Sequence, residues 1–249
     1  MESLLLLRLT PPVAPVRERR SVTAQAGGAF INSHFSLIGI EKCIHGPPPS
    51  QLPDANMLSE KNKADLRRAG KAARRKLTHE VRGEASENIC AAAIQSTSFE
   101  NAKLIACYLA TDNEVNCRRL IERAWHMKKR IFLPIVQKHS KLKFVEFFKN
   151  SRTRTNTYGI EEPVGENEID PRELDLVFTP LVAFDSQGNR VGMGGGYYDR
   201  TFSFLNKHQH NSGPMLVGLA FDCQYVEQIG ASAWDIRLFR VITESDTAA

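Results

Sequence analysis

The sequence predicts an α/β sandwich around a largely parallel sheet. Two features carry that expectation. From residue 104 onward, short apolar runs that read as buried strands alternate with helical stripes and turn signals. The stretch 174–200 then runs strand, turn, glycine loop and helix without a break. No internal repeat is present, which sets aside solenoids and propellers.

Residues 1–56 stand apart from this pattern. They hold LLLL at 4–7, prolines at 11, 12 and 15, RERR at 17–20 and PPP at 47–49, with no sustained period. They are expected to be a disordered or mis-assigned N-terminal extension, with Met57 opening a single folded domain over 57–249. A targeting segment is the alternative, because the stretch contains Leu, Arg and Ser and few acids. Its short apolar run, interrupted by Arg8, speaks against a secretory signal.

Ser59, followed by Glu60, is the expected N-cap of the first helix. That helix is densely basic: Lys61, Lys63, Arg67, Arg68, Lys71, Arg74, Arg75 and Lys76, with Leu66, Ala69, Ala73 and Leu77 as a weak apolar stripe. Thr78 opens a second helix with Val81, Ala85, Ile89, Ala92 and Ala93 along one face. LIACYLA (104–110) reads as a buried strand. Residues 115–129 read as a helix with Leu120, Ile121, Ala124 and Met127 inward. Strands follow at 130–136, interrupted by Pro134, at 141–148, and at 174–184, stopped or bent at Pro180. The last two strands are read at 215–221 and 237–243.

Composition narrows the chemistry. The formal charge of +5 over 249 residues is a modest excess that suits an anionic ligand as well as a solvated surface. Five cysteines, an odd number with no CxxC pair, argue against a disulfide framework or a zinc site and for a reducing compartment. The seven histidines show no metal-ligand spacing. No apolar run approaches the roughly 20 residues that span a bilayer.

The stretch RVGMGGGYYDR (190–200) is the most informative. Glycines at 192, 194, 195 and 196 permit positive φ and let a ligand approach the backbone. Successive N–H groups can form an anion-binding nest, and a following helix start would add positive dipole. Phosphate is the natural guest, although neither the Walker A nor the dinucleotide glycine pattern is present. Arg190 can clamp phosphate oxygens. Asp199 can hold Mg²⁺, which binds carboxylates together with nucleotide phosphates. Tyr197 and Tyr198 offer a stacking face and a hydroxyl.

GNRVGMGGGYYDR, with TPLVAFD (179–185) before it and VGLAFDCQ (217–224) after it, closely resembles the 5-formyltetrahydrofolate cyclo-ligase family, also called 5,10-methenyltetrahydrofolate synthetases. The likeness extends through KADLRRAGKAARRKL (63–77), YLATDNEVNCRRLI (108–121), RIFLPIV (130–136), YGIEEP (158–163) and WDIRLFRVIT (234–243). It implies a three-layer α/β/α sandwich like that of the sugar-phosphate isomerase and CoA-transferase group. It also implies ATP- and Mg²⁺-dependent conversion of 5-formyltetrahydrofolate to 5,10-methenyltetrahydrofolate, with ADP and phosphate as the other products.

The same resemblance implies a set of site residues. Lys63 and Arg67, four apart on one helical face, should reach the ATP phosphates. Arg190, Val191, Gly192, Met193, Gly194, Gly195, Gly196, Tyr197 and Tyr198 should complete the ATP site, with Arg190, Tyr197 and Asp199 as the catalytic set. Asp199 and Asp235 should hold Mg²⁺. Leu109, Glu114 and Tyr197 should contact the folate, although on sequence alone Glu114 reads first as a helix-start acid near Val115. Arg68, Lys71, Arg74, Arg75 and Lys76 are read as a solvated face that could attract a polyglutamylated folate tail. Relatives carry a polar residue where this chain has Trp234, and some have basic residues where it has Met193 and Gly195. The expected protein is a cytoplasmic monomer. The competing classes are another enzyme on the same fold and an RNA-binding module on the basic helix. The latter lacks the interleaved aromatics of an RNA-reading surface.

Overall fold

Each parallel strand of the central sheet sends alternate residues to opposite faces, and both faces are apolar. Ile105, Ile131, Leu133, Leu176, Phe178, Val217 and Leu219 enter one core, while Ala106, Phe132, Val177 and Leu216 enter the other. That two-sided burial explains why these stretches read as near-continuous apolar runs. The structure is a computed structural model that describes residues 55–111, 113–137, 141–206 and 213–246, with side chains from residue 62 onward. The expectation for 1–56 lies outside the described residues except for its last two positions.

Five helices and eleven strands are described. The helices are α1 (Ala55–Lys76), α2 (His79–Gln95), α3 (Thr97–Asn101), α4 (Arg118–His126) and α5 (Tyr197–Thr201). The strands are β1 (Leu104–Ala106), β2 (Arg130–Ile135), β3 (Lys143–Glu146), β4 (Thr153–Thr155), β5 (Glu161–Pro163) and β6 (Glu168–Ile169). They continue as β7 (Leu176–Pro180), β8 (Ala183–Phe184), β9 (Arg190–Val191), β10 (Met215–Leu219) and β11 (Arg240–Ile242). Seven strands form the main sheet in the order β11-β10-β7-β1-β2-β3-β6. The run from β11 to β2 is parallel, and β3 and β6 add an antiparallel edge. The largely parallel sheet expected from sequence is therefore present.

One face is covered by α2, α3 and α4, through Ile89, Ala93, Phe99, Leu120, Ile121 and Ala124. Thr78 caps α2, its Oγ1 accepting from the Val81 N–H at 3.2 Å. The other face is covered by α5, a 3₁₀ turn at Ser203–Asn206 and irregular chain carrying Leu142, Leu174, Ile236 and Leu238. This third layer is built mostly without long helices.

Several elements differ from their expected bounds. α1 already runs from Ala55, so Ser59 lies inside it rather than at its cap. β1 stops at Ala106, because the apolar residues after it are buried in a loop instead: the Tyr108 hydroxyl donates to Val115 O at 3.3 Å and Cys117 Sγ donates to Tyr108 O at 3.1 Å. α4 ends at His126, and Lys128 turns left-handed at φ 58°, so Met127 is exposed rather than inward. β2 passes through Pro134 unbroken. β1 ends opposite Phe132, so the N–H that Pro134 lacks falls where no strand would receive it.

α1 lies over the β8–β9 hairpin, where Leu66 packs with Ala183, Val191 and Ile229. Gly70 makes the approach possible: a Cβ there would sit 2.2 Å from Val182 O. That contact fixes the face of α1 turned toward the glycine loop.

Candidate active site

The chain segments leaving the carboxyl ends of β1, β2 and β7 surround a cleft of about 1580 Å³. In parallel α/β sheets this is the end where ligands bind. Pockets for one small ligand run to roughly 300–1,000 Å³, so this cleft has room for two substrates. It is lined by every site residue expected from sequence: Lys63 and Arg67 of α1, Leu109 and Glu114 after β1, Arg190 through Asp199, and Asp235. The structure brings all of them together.

The glycine loop turns by left-handed steps, with Gly194 at φ 101° and Gly196 at φ 61°. A Cβ on Gly195 would meet the Tyr197 ring at 2.6 Å. A side chain would thus be strained by backbone conformation at two positions, and at the third it would require the Tyr197 ring to move. The helix that follows, α5, has only five residues. It is too short to supply much dipole, so the loop amides and nearby cations must carry the positive potential.

Those cations arrive from two directions. Arg67 Nε donates to Gly192 O at 3.1 Å and its guanidinium lies over Gly194. Lys63 is buried; its Nζ donates to Asp235 Oδ2 at 2.7 Å and to Ser232 Oγ at 3.0 Å. Arg190 donates from Nη2 to Asp199 Oδ1 at 2.9 Å and from Nη1 to Ile236 O. The Ile236 N–H donates to the same Asp199 oxygen at 3.1 Å. Asp199 and the 235–236 peptide are therefore locked side by side.

These two aspartates suit a cation that also takes ligand oxygens. Among the described residues no group of three or more His, Cys, Asp or Glu side chains could enclose a metal. Mg²⁺ does not need such a cage, since one or two carboxylates plus phosphate oxygens suffice. Asp199 Oδ2 and Asp235 Oδ1 take no hydrogen bond among the described residues, while each partner oxygen is held by a protein donor. The pair fits that kind of ion.

The two tyrosines play different parts. Tyr198 stacks on Phe202 with ring centroids 6.3 Å apart, and burial pushes its hydroxyl pKa up. Tyr197 lies under the Arg200 guanidinium, 5.0 Å from its ring, and shares a hydrogen bond with the Tyr158 hydroxyl that raises its pKa. Glu114 is not a helix-start acid, since α4 begins only at Arg118. Its carboxylate closes a turn, accepting from the Thr111 N–H at 3.0 Å and Thr111 Oγ1 at 3.3 Å.

A sequence profile of the 5-formyltetrahydrofolate cyclo-ligase family matches residues 59–244. This chain belongs to that family. It is 36% identical to the 5-formyltetrahydrofolate cyclo-ligase of Haemophilus influenzae over 173 residues, covering 68% of this chain and 90% of that one. The Escherichia coli K12 cyclo-ligase is 37% identical over 180 residues, 69% of this chain and 94% of that one. Among solved structures, Aquifex aeolicus 5,10-methenyltetrahydrofolate synthetase matches with a TM-score of 0.64 at 29% identity, over 74% of this chain and 91% of that one. The Mycoplasma pneumoniae synthetase shares the fold, with a TM-score of 0.57 at 24% identity over 73% of this chain and 98% of that one.

Three residues, two lining this cyclo-ligase cleft and one behind its wall, escape sequence reasoning. Tyr158 reaches the cleft from the β4–β5 hairpin. The only signal was its place in YGIEEP beside Gly159, which adopts φ 76°. Trp234, half exposed, lines the cleft beside Asp235. Arg74 was read as part of a solvated face, yet its side chain is 1% exposed. Its spacing from Lys63 and Arg67 on α1 was the available clue.

Proposed function

We propose that this protein converts 5-formyltetrahydrofolate to 5,10-methenyltetrahydrofolate with ATP, releasing ADP and phosphate. One observation carries the reading. In a chain of this family, the glycine loop, Lys63, Arg67, Arg190, Asp199 and Asp235 converge on one side of a cleft large enough for both substrates.

The chemical problem is a poor leaving group. The formyl oxygen of an amide cannot be expelled directly by the folate's N-10 nitrogen. In the proposed course that oxygen attacks the γ-phosphorus, an O–P bond forms, and the bond to the β-phosphate oxygen breaks to give ADP. The N-10 nitrogen then adds to the activated carbon. Its proton and the phosphate depart, and the phosphate takes the former formyl oxygen with it. No covalent protein nucleophile is needed, so the residues act by orientation and charge.

The roles follow from position. Lys63, Arg67 and the amides of residues 191–196 bind the triphosphate, with Val191, Met193 and Tyr198 shaping the loop. Arg190 orients Asp199 by its hydrogen bond and neutralises charge at the transferring group. Asp199 and Asp235 hold Mg²⁺, which when bound shields phosphate charge and polarises the γ-phosphorus. Leu109, Glu114 and Tyr197 hold the folate. We further read 57–249 as one domain, acting as a cytoplasmic monomer on folates that include polyglutamylated forms.

The test is absorbance at the methenyl-folate band after mixing protein, ATP, Mg²⁺ and 5-formyltetrahydrofolate. An ATP-dependent rise is expected. No rise from folded protein would overturn the reading.

A further inference from the structure

We propose that Arg74 is a positioning residue for the folate side of the cleft, acting through Glu114. The proposal rests on the reading of Glu114 as a substrate contact. Lys63, Arg67 and Arg74 share one face of α1. The first two serve the nucleotide side. Arg74, two turns beyond Arg67, passes behind the cleft wall. Its Nη1 donates to Leu181 O at 3.3 Å and lies 3.9 Å from Glu114 Oε1. Leu181 and Glu114 both line the cleft. One guanidinium therefore braces two wall segments, the turn after β7 and the loop after β1.

Packing alone does not explain a charge here. A methionine would fill similar space without the cost of desolvating a guanidinium. The Glu114 side chain is 8% exposed, and Thr111 holds its Oε2. Arg74 addresses the other oxygen. A cation 3.9 Å from that oxygen fixes the direction in which the carboxylate accepts hydrogen bonds. The N–H groups of a pterin ring are donors of the required kind. Among the described residues, Tyr108 and Cys117 on its own loop and Tyr198 of α5 also act on Glu114, and burial holds all three neutral. Arg74 is a charged partner of this carboxylate.

The experiment compares Arg74→Met, Arg74→Lys and Glu114→Gln in the full chain by steady-state kinetics, with thermal melts as the folding control. Arg74→Met should raise KM for 5-formyltetrahydrofolate about 10- to 100-fold. KM for ATP should stay within about twofold. Arg74→Lys should recover part of the loss. Equal changes in both KM values, or no change in either, would overturn the proposal. Should Arg74→Met fail to melt cooperatively, Arg74→Lys carries the same comparison: a rise confined to folate KM supports it and wild-type values overturn it. Glu114→Gln separates the two layers. If it raises folate KM while Arg74→Met does not, only the role of Arg74 falls. If Glu114→Gln leaves folate KM unchanged, the reading of Glu114 falls and the proposal with it.

Discussion

Arg190 and the Ile236 peptide N–H both donate to one oxygen of Asp199, at 2.9 Å and 3.1 Å. A carboxylate held this way has one oxygen committed, which leaves Oδ2 without a hydrogen bond among the described residues and able to take an incoming ion. Replacing it should damage chemistry far more than folding. Asp199→Ala is expected to lose nearly all turnover while keeping a cooperative melt, and wild-type activity would refute the metal role. Stability should fall by only about 1–3 kcal/mol, the cost of leaving Arg190 and one peptide N–H without their acceptor. Thermal melts alongside turnover assays check both statements.

Lys63 and Asp235 form a second anchored pair, 2.7 Å apart, with the lysine side chain 5% exposed and the aspartate 20% exposed. On the proposed ATP site, Lys63→Met should raise KM for ATP about tenfold or more, since it removes a buried cation proposed to meet the phosphates. KM for the folate should hardly change if the proposed assignment of Lys63 and Asp235 to the nucleotide holds. Initial-rate kinetics with each substrate varied in turn would show the split.

Gly70 tests how α1 is seated. A Cβ at this position would lie 2.2 Å from a main-chain oxygen, which cannot swing aside as a side chain can. Gly70→Ala is therefore expected to destabilise by about 1–3 kcal/mol or more through overpacking. That outweighs the better helix propensity of alanine, worth about 1 kcal/mol. A lower urea midpoint with an unchanged slope would confirm it; a higher midpoint would contradict the packing described.

Buried thiols give a pH signature. Burial pushes Cys90 up from 9.0 to about 12, and Cys117 is raised for the same reason, reinforced by its hydrogen bond with Cys107. An unfolded thiol ionises above pH 9 while the folded one keeps its proton, so stability is full below that point and falls as pH rises toward 12. Each such thiol should remove about 1.4 kcal/mol per pH unit in that window. Denaturation midpoints measured at pH 8 and pH 10 should differ accordingly. Among the described cysteines, Cys223 alone is exposed and should alkylate first in the native state.

The legible parts of this protein were those with local causes. Thr78 announced the start of α2 because a cap is a short-range hydrogen bond, and the clustered glycines announced a backbone that a ligand can approach. Cys107 to Ala110 were misread as strand because apolarity records burial, not the pairing that defines a strand, and burial here is supplied by a loop. The solvated reading of Arg74 failed for a different reason. Its acceptor at Leu181 lies 107 residues away in sequence, so only the tertiary structure shows the charge turned inward. Tyr158 is similar: its hairpin is local, but its meeting with Tyr197 is not. Every residue expected at the cleft does line it, whereas the contacts Arg74 makes from behind it could be guessed only from its spacing on α1.

The central claim is that the formyl oxygen is phosphorylated in this cleft. The direct measurement uses 5-formyltetrahydrofolate labelled with ¹⁸O at the formyl oxygen, followed by mass analysis of the released phosphate. The account predicts that each turnover places the label in inorganic phosphate. Unlabelled phosphate accompanying full conversion to the methenyl product would contradict it.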